Sequence, residues 1–372
     1  MKNDKLRVLV VLPTLRVGNG IASHVMNYYN EIFDKIDVDF ISFTKLDNKY
    51  TRTITERGGR IFYFGKNFLR CYRKIERFFK LYADRYDIVH CHVINYGLPY
   101  LYLAKKYGIK NRIVHVHSSR YSANVIKSAV CAPIARLCMR MSTCLVACSR
   151  QAGERAYRKR PFKVINNAIN LSMYVSGERE EIRTKLGVDE ATVLFGNVGR
   201  LAKEKNQAFV LAVFQELKRI SKFKSSKLVL IGKGPDYARL AKKTVDMGLS
   251  EDVRFVENTD DICDYYAAMD CLIHPSLFEG LGMALIEAQA SGLVCVCSDN
   301  LPSEVFASEL VHGVSLADSA NEWATMIAEM SFARTDVVSS LRKTGFDISA
   351  ASTILLELYE KMMKGCLCAS CM

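Results

Sequence analysis

The chain has 372 residues, 49% of them hydrophobic and 24% charged; this composition excludes disordered and collagenous chains, and the length calls for two cores rather than one. The net charge of +13 is unevenly placed: residues 1–175 hold 31 Lys+Arg against 11 Asp+Glu and the remainder 21 against 28, giving +20 and −7. No stretch reaches the ~18 apolar residues of a membrane span, and the run Val8–Leu12 is short and lacks a small-residue cleavage site, so neither a transmembrane helix nor a secretory signal is expected.

In the first half, short β-branched runs alternate with segments of helical periodicity. Strands are expected at Arg7–Leu12, Val38–Phe43, Arg60–Phe64, Asp87–His92, Arg112–His117 and Thr143–Cys148, with helices such as Ile21–Phe33, Phe68–Ala83 and Tyr96–Tyr107 between them. The unbroken apolarity of Val8-Leu9-Val10-Val11-Leu12 suits a strand covered on both faces, which implies a parallel sheet. Arg16-Val17-Gly18-Asn19-Gly20-Ile21 follows the first strand and opens a helix. Ser23 stands where a dinucleotide fingerprint has its third glycine, and no acid closes the second strand, which argues against a dehydrogenase. Asp37-Val38-Asp39 has metal-ligand spacing but sits at a strand entry, so it is read as solvated edge charge and no metal site is expected there.

Along Phe68–Arg85, Leu69, Tyr72, Ile75, Phe79 and Tyr82 form an apolar stripe flanked by Arg70, Arg73, Lys74, Arg77, Lys80 and Arg85. The stripe reads either as core or as a membrane-surface face. Between Ile88 and Gly153 there is no acidic residue against nine basic ones, which points to an anionic surface or substrate near this half. No nucleic-acid-binding module is visible, so nucleic acid is not expected as a partner.

A connector follows at Asn166–Arg179 and the alternation restarts: strands Thr192–Val198, Leu228–Ile231, Val253–Val256, Cys271–His274 and Val294–Ser298, with helices Asn206–Ile220, Pro235–Met247 and Gly282–Ser291. Two α/β halves in series are expected to leave a cleft at the carboxyl ends of their strands. Gly199-Arg200-Leu201-Ala202-Lys203-Glu204-Lys205-Asn206 follows a strand, placing Arg200 and Lys205 at the carboxyl edge of the sheet; Lys203 is read as the solvated lysine. Two such cations and a helix N-terminus can stabilise a departing diphosphate without a metal. His274-Pro275-Ser276-Leu277-Phe278-Glu279-Gly280-Leu281-Gly282-Met283 runs from a strand through a glycine loop into a helix that carries Glu287 in its second turn. The glycines admit close backbone approach, the helix start offers free amides to phosphate, and carboxylates accept pairs of hydroxyl hydrogen bonds from a sugar or ribose.

Thirteen cysteines are spread over the chain, several in apolar patterns such as Cys144, Cys148, Cys295 and Cys297, and are expected to be buried reduced thiols. Cys366, Cys368 and Cys371 are read as a solvated tail.

Together these segments resemble the family 4 glycosyltransferases of exopolysaccharide and capsule assembly. The Glu-x7-Glu signature runs from Glu279 to Glu287, the basic pair is Arg200 and Lys205, and Pro275-Ser276, Ala288-x-Ala290-x-Gly292 and Gly232-x-Gly234 fit the surrounding pattern. Asp87-Ile88-Val89-His90-Cys91-His92, Gly20-Ile21 with Met26-Asn27-Tyr28-Tyr29, and Val164-Ile165-Asn166-Asn167-Ala168-Ile169-Asn170 extend it over nearly the whole chain. The sequence departs from the pattern at Gly18-Asn19-Gly20, where adjacent glycines are commoner, at Ala168, and at Glu257, where a glycine is expected.

The resemblance implies a GT-B fold of two Rossmann-like, doubly wound parallel-sheet α/β domains facing across a cleft: an acceptor domain over 1–170, a donor domain over 171–348, and a helix with tail over 349–372 packing back on the first. It implies a retaining, metal-independent transferase with no cofactor. The donor is a nucleotide-diphosphate sugar, UDP-linked for preference, and the acceptor a glycan or an undecaprenyl-pyrophosphate-linked saccharide. The expected place is the cytoplasm, peripheral to the inner face of the plasma membrane. His117, Arg200, Lys205 and Glu279 are the implied catalytic residues. Gly18, Gly20, Gly232, Ser276, Gly280, Leu281, Gly282, Met283 and Glu287 are the implied donor-binding ones. His92 and His115 compete with His117 for the role at the first sheet's edge. Alternatives are a nucleotide-sugar epimerase and an inactive sugar-nucleotide-binding partner of an assembly complex.

Overall fold

The five apolar residues Val8–Leu12 form the centre of strand β1 (Leu6–Leu12) and are fully buried, as a strand covered on both faces requires. The computed structural model describes residues 5–365 apart from 66, 119–124, 258 and 260. Cys366, Cys368 and Cys371 thus lie outside the described residues. The chain divides into two units, one running to Ile169 and resuming at Asp347, the other covering Asn170–Phe346.

In the first unit β1 is followed by α1 (Gly20–Ile32), β2 (Ile36–Ser42), α2 (Lys49–Glu56), β3 (Ile61–Tyr63), α3 (Phe68–Tyr82), β4 (Ile88–Cys91), α4 (Leu98–Lys106), β5 (Asn111–Val116), α5 (Val125–Met141), β6 (Cys144–Ala147), α6 (Arg150–Tyr157) and β7 (Lys163–Val164). Its sheet has the order β3-β2-β1-β4-β5-β6-β7, and every pairing is parallel. The order reverses between β1 and β4, the position at which doubly wound sheets open for ligands.

The second unit repeats the plan with α7 (Arg179–Leu186), β8 (Leu194–Val198), α8 (Gln207–Arg219), β9 (Lys227–Ile231), α9 (Tyr237–Asp246), β10 (Val253–Val256), α10 (Ile262–Ala268), β11 (Cys271–His274), α11 (Met283–Ala290), β12 (Val294–Ser298), β13 (Val311–Val314), α12 (Ala320–Glu329) and α13 (Val338–Lys343). Its sheet, also parallel throughout, is ordered β10-β9-β8-β11-β12-β13 and reverses between β8 and β11.

The chain then returns to the first unit as α14 (Ile348–Met363). The Ile348 amide bonds to the Ile169 carbonyl at 3.0 Å where the crossing begins. The buried face of α14, with Ile348, Ala351, Leu355, Leu358, Tyr359 and Met362, shares a core with Val25, Tyr28, Tyr29 and Ile32 of α1.

Three local expectations are corrected. Strand β2 begins at Ile36, so Asp37 and Asp39 lie inside it, and only Asp37 is solvated. Asp39 is buried, takes Arg60 Nη2 at 2.6 Å, and accepts the Tyr86 hydroxyl at 2.7 Å. The α3 stripe is not one surface: Ile75 and Phe79 are core, whereas Leu69 is 76% exposed. His117 stands one residue past β5 rather than ending it. Cys144, Cys148, Cys295 and Cys297 are buried and in no disulfide, as expected. Among the described residues no helix is long and apolar enough to cross a membrane.

Candidate active-site groups in the two units

Each unit holds one dense group of polar side chains just beyond the carboxyl ends of its strands. In the second unit the group is built by the loops after β8 and β11, which leave the sheet where its order reverses. The first loop is fixed from below by buried Leu201, whose amide bonds to the Lys233 carbonyl at 3.1 Å and whose carbonyl takes the Asp236 amide at 3.0 Å. A Cβ on Gly232 would strike the Gly199 carbonyl, and one on Gly234 the Leu201 backbone, so these glycines permit the close approach of two loops. The Gly232 amide itself is committed to the Val256 carbonyl at 2.9 Å. Glu257, at the end of that neighbouring strand, pairs with Lys233. Leu277 N bonds to Glu204 O at 2.8 Å and ties the Lys205 turn to the loop after β11.

That tie brings Lys205 Nζ to 2.5 Å from Glu279 Oε1, with the two side chains 20% and 10% exposed. His274 Nε2 lies 2.9 Å from the same carboxylate oxygen, and Ser276 Oγ 3.1 Å from that nitrogen. Burial alone would push the Glu279 carboxyl upward, but the Lys205 ammonium and the His274 contact hold it well below the usual carboxylate range. An ionised carboxylate only accepts, so His274 carries its proton on Nε2. The ring stays neutral at pH 7 because burial lowers its pKa, with Glu279 opposing and Lys205 assisting.

Glu287 behaves differently although it lies within electrostatic reach of Lys205. Burial raises its carboxyl to about 7, against the hydrogen bond from the Tyr266 hydroxyl at 2.9 Å and the Lys205 charge. Two acids eight residues apart are thus held in different states near neutrality. Arg200 shares the Lys205 loop but is exposed, and its guanidinium has no ion pair among the described residues. Lys203 is exposed, as expected.

Gly282 caps α11 at φ +102, a left-handed conformation that favours glycine; its carbonyl takes the Leu285 amide at 3.0 Å, and the Met283 and Ala284 amides before it have no intrahelical acceptor. Ser276 and Leu281 are buried, so around Gly280–Met283 it is mainly backbone that remains to meet a ligand. Together the group offers an ammonium with two further donors, an ionised carboxylate, a titrating carboxyl and a helix N-terminus. These can bind an anion and hydroxyls side by side.

In the first unit His117 is not a lone imidazole, as its place in the sequence suggested. His24, His90, His92, His115 and His117 form one cluster, with ring centroids 4.1 Å apart for His90–His92, 4.2 Å for His115–His117 and 4.7 Å for His24–His117. His92 Nδ1 bonds to His117 Nε2 at 2.8 Å. The Tyr359 hydroxyl of α14 reaches His90 Nδ1 at 2.6 Å and the Tyr29 hydroxyl at 2.6 Å. Burial drives His90 down to about 3 and His117 to about 4, with the Asn167 side chain opposing at His117, and leaves the others well below their usual value, so all five are neutral at pH 7. His117 is the least buried of the five. The loop after β1 stands at the same sheet edge: Gly18 has φ +76, and the Asn19 side chain caps α1 through the Ala22 amide at 3.1 Å. A Cβ on Gly20 would meet nothing within 4 Å, so packing does not demand glycine there.

Sequence reasoning missed His274 and Tyr266 behind the acids, and His24 and His90 in the cluster. The H-x-H spacings at His90/His92 and His115/His117 were a usable signal, because period two puts both members on one face of a strand. Tyr266 had none, since only the packing of α10 brings it to Glu287.

Two family profiles match this chain: "Glycosyltransferase Family 4" over residues 18–173 and "Glycosyl transferases group 1" over 178–331. The chain is 28% identical over 380 residues to EpsF of Bacillus subtilis (strain 168), a protein designated a glycosyltransferase, covering 96% of this chain and 97% of that one. It is 26% identical over 229 residues, 59% of each chain, to an Escherichia coli UDP-Gal:alpha-D-GlcNAc-diphosphoundecaprenol alpha-1,3-galactosyltransferase. HepE of Anabaena, crystallised with UDP and glucose, superposes with a TM-score of 0.74 at 16% identity over 97% of this chain and 99% of that one, which establishes a common fold.

Proposed function

This chain is a glycosyltransferase of family 4 with the paired parallel-sheet domains of the GT-B fold, and we propose that it moves a sugar from a UDP-sugar to a saccharide carried on undecaprenyl pyrophosphate, or to a related glycan, in cell-surface polysaccharide assembly. The observation that carries this reading is the Lys205–Glu279 pair at the reversal point of the second sheet, beside the α11 N-terminus. Of the three hydrogens on Lys205 Nζ, one is engaged by Glu279 and two are left for a diphosphate. Exposed Arg200 supplies a second cation, and the Met283 and Ala284 amides the positive end of a helix.

As the bond between sugar and diphosphate breaks, charge grows on the phosphate oxygens, and these groups meet it without rearranging; a fixed donor of this kind is worth about 2.7–4 kcal/mol of barrier. Glu279, held ionised, accepts from hydroxyls of the donor sugar, and Glu287 takes the ribose diol. His117 contacts the transferred sugar as a neutral imidazole. We assign no nucleophile on the protein. The anomeric configuration is retained, no divalent ion is needed for the transfer, and the departing phosphate helps to take the acceptor proton.

The EpsF likeness over nearly the full length and the lipid-linked acceptor in the name of the E. coli relative support the acceptor class. UDP in the HepE crystal supports the nucleotide. The +20 charge over residues 1–175, and Leu69 and Leu81 exposed among the basic residues of α3, support attachment to an anionic membrane surface. The test is a panel of UDP-, GDP- and ADP-sugars with lipid-linked acceptors in chelator, read as released nucleotide and by NMR of the new linkage. Transfer from a UDP-sugar with retention, lost in Lys205→Ala and Glu279→Ala chains that remain folded, is expected. Conversion of donor without acceptor would make the chain an epimerase; binding without turnover would make it a partner subunit.

A further inference from the structure

The histidine cluster holds more imidazole than a sugar contact calls for, and its geometry points to a second ligand. In the ladder between β4 and β5, Cys91 stands opposite Val114. One step on, His92 stands beside His115, and His117 follows two residues later on the same face. Helix α1 brings His24 against them, at 5.1 Å from His115 and 4.7 Å from His117 between ring centroids. One nitrogen from each of His24, His92, His115 and His117 lies within 4.8 Å of the others.

The hydrogen bonding of these rings is incomplete. His24 Nδ1, His92 Nε2 and both nitrogens of His115 are buried without a hydrogen-bond partner. Each neutral imidazole carries one donor and one acceptor, so such a group is costly to bury unless something takes up its lone pairs. Stacking between rings leaves the in-plane lone pairs unused. A cation at the centre uses one from each of the four rings once the His92–His117 hydrogen bond gives way, because a neutral ring that accepts through one nitrogen carries its proton on the other.

We propose that His24, His92, His115 and His117 form a binding site for one divalent transition ion of the zinc class. Neutral imidazole nitrogen suits Zn²⁺, Co²⁺, Ni²⁺ and Cu²⁺, whereas Mg²⁺ and Ca²⁺ demand oxygen, which these rings do not offer. A tetrahedral shell at about 2.0 Å from the metal has nitrogens about 3.3 Å apart, so the rings close inward by rotation about their side-chain bonds. His117, the least buried of the four, lies at the entrance, and His90 stacks on His92 behind them, held by the Tyr359 hydroxyl. The ion has no part in the leaving-group chemistry at Lys205. Its binding needs neither donor nor acceptor and is read without them, although an ion held through His117 occupies the imidazole that the proposed transfer puts against the sugar.

The test uses the full chain, stripped with chelator and dialysed against Co²⁺. One ion retained per chain is expected, with the intense visible bands of tetrahedral cobalt, which Zn²⁺ then displaces. X-ray absorption of the zinc-loaded wild-type chain is expected to show four nitrogens at about 2.0 Å. His115→Phe and His24→Phe, checked for folding by circular dichroism, are expected to weaken binding at least ~100-fold, beyond the loss typical of an outer partner. His312→Gln, in β13 of the other unit, is expected to bind as the wild type does. No retention by the wild-type chain, sulfur in the metal shell (which would point to cysteines instead), or undiminished binding by folded His115→Phe would each overturn the proposal.

Discussion

Replacing Lys205 by methionine removes the partner that holds Glu279 ionised and leaves the carboxylate in place. The pair is 2.5 Å apart, with side chains 20% and 10% exposed, so its loss belongs with broken buried pairs, which cost about 3–5 kcal/mol. The His274 contact at 2.9 Å remains and keeps the expected loss near the lower end, about 3 kcal/mol at neutral pH. Because the folded-state pKa of Glu279 is depressed, the wild-type carboxylate contributes stability above the unfolded value near ~4.3, and that contribution fades as pH falls toward the folded pKa. In the variant, burial is opposed chiefly by His274, the carboxyl protonates at a higher pH, and acid relieves the defect. The stability gap between the two proteins therefore narrows on acidification, by up to about 1.4 kcal/mol per pH unit once the variant carboxyl titrates. Trp323, the only tryptophan, is fully buried inside the second unit, so its fluorescence during urea unfolding follows that unit. A gap of about 3 kcal/mol corresponds to a melting shift of roughly 6–12 °C for a unit of this size. A gap that does not change with pH, or one under about 1 kcal/mol at neutrality, would refute the assignment of Lys205 as the partner of Glu279.

Glu287→Gln is expected to flatten the pH dependence of nucleotide binding around pH 7, since the wild-type carboxyl titrates there, while Tyr266→Phe moves that dependence to higher pH by removing a bond to the ionised form; calorimetry with UDP across this range measures both. The raised pKa also means that the contribution of Glu287 to stability falls as pH rises through about 7, and Glu287→Gln removes that slope in the Trp323 assay. Gly282→Ala, at φ +102 with Val305 Cγ1 3.3 Å from the new methyl carbon, is expected to destabilise the second unit by about 1–2 kcal/mol in the same assay. Tyr359→Phe leaves buried His90 Nδ1 with only the distant Tyr29 hydroxyl at 3.4 Å, and hydrogen exchange along α14 should quicken by an opening cost lowered about 1–3 kcal/mol. Substituting Arg70, Arg73, Lys74 and Arg77 of α3 with glutamine is expected to abolish sedimentation with anionic vesicles, at about 1 kcal/mol per lost charge, while neutral vesicles bind neither protein.

The two sheets were legible because a doubly covered parallel strand is written as an unbroken apolar run. The strands at Val253–Val256, Cys271–His274 and Val294–Ser298 fall where the sequence placed them. Elements that the sequence reading did not single out carry little of that signal: β7 has two residues, α13 six, and β13 is the half-buried Val311-His312-Gly313-Val314 at the sheet edge. Helix α12 could have been found from its capping box, in which Ser319 and Glu322 satisfy each other's backbone amides. The Asp37/Asp39 reading failed because strand periodicity says which face a residue takes but not what lies over that face; here Arg60 and Tyr86 lie over Asp39.

For the candidate site, the sequence by itself determined the inventory: the basic pair Arg200 and Lys205 after one strand, the acids Glu279 and Glu287 around a glycine loop after another, and the histidines at the ends of two strands of the first sheet. Those follow from local rules, because strand ends, helix starts and periodicity are short-range properties of the chain. Tertiary structure decided their chemistry. The bond from Leu277 to Glu204 joins two loops more than 70 residues apart in the chain and so pairs Lys205 with Glu279. Burial beside Tyr266 leaves Glu287 titrating near neutrality while Glu279 stays ionised, and the register of β4 with β5 beneath α1 gathers imidazoles from three segments into one cluster. Charge state depends on the dielectric and on partners within a few ångströms, and which groups become such partners is fixed only when distant segments pack.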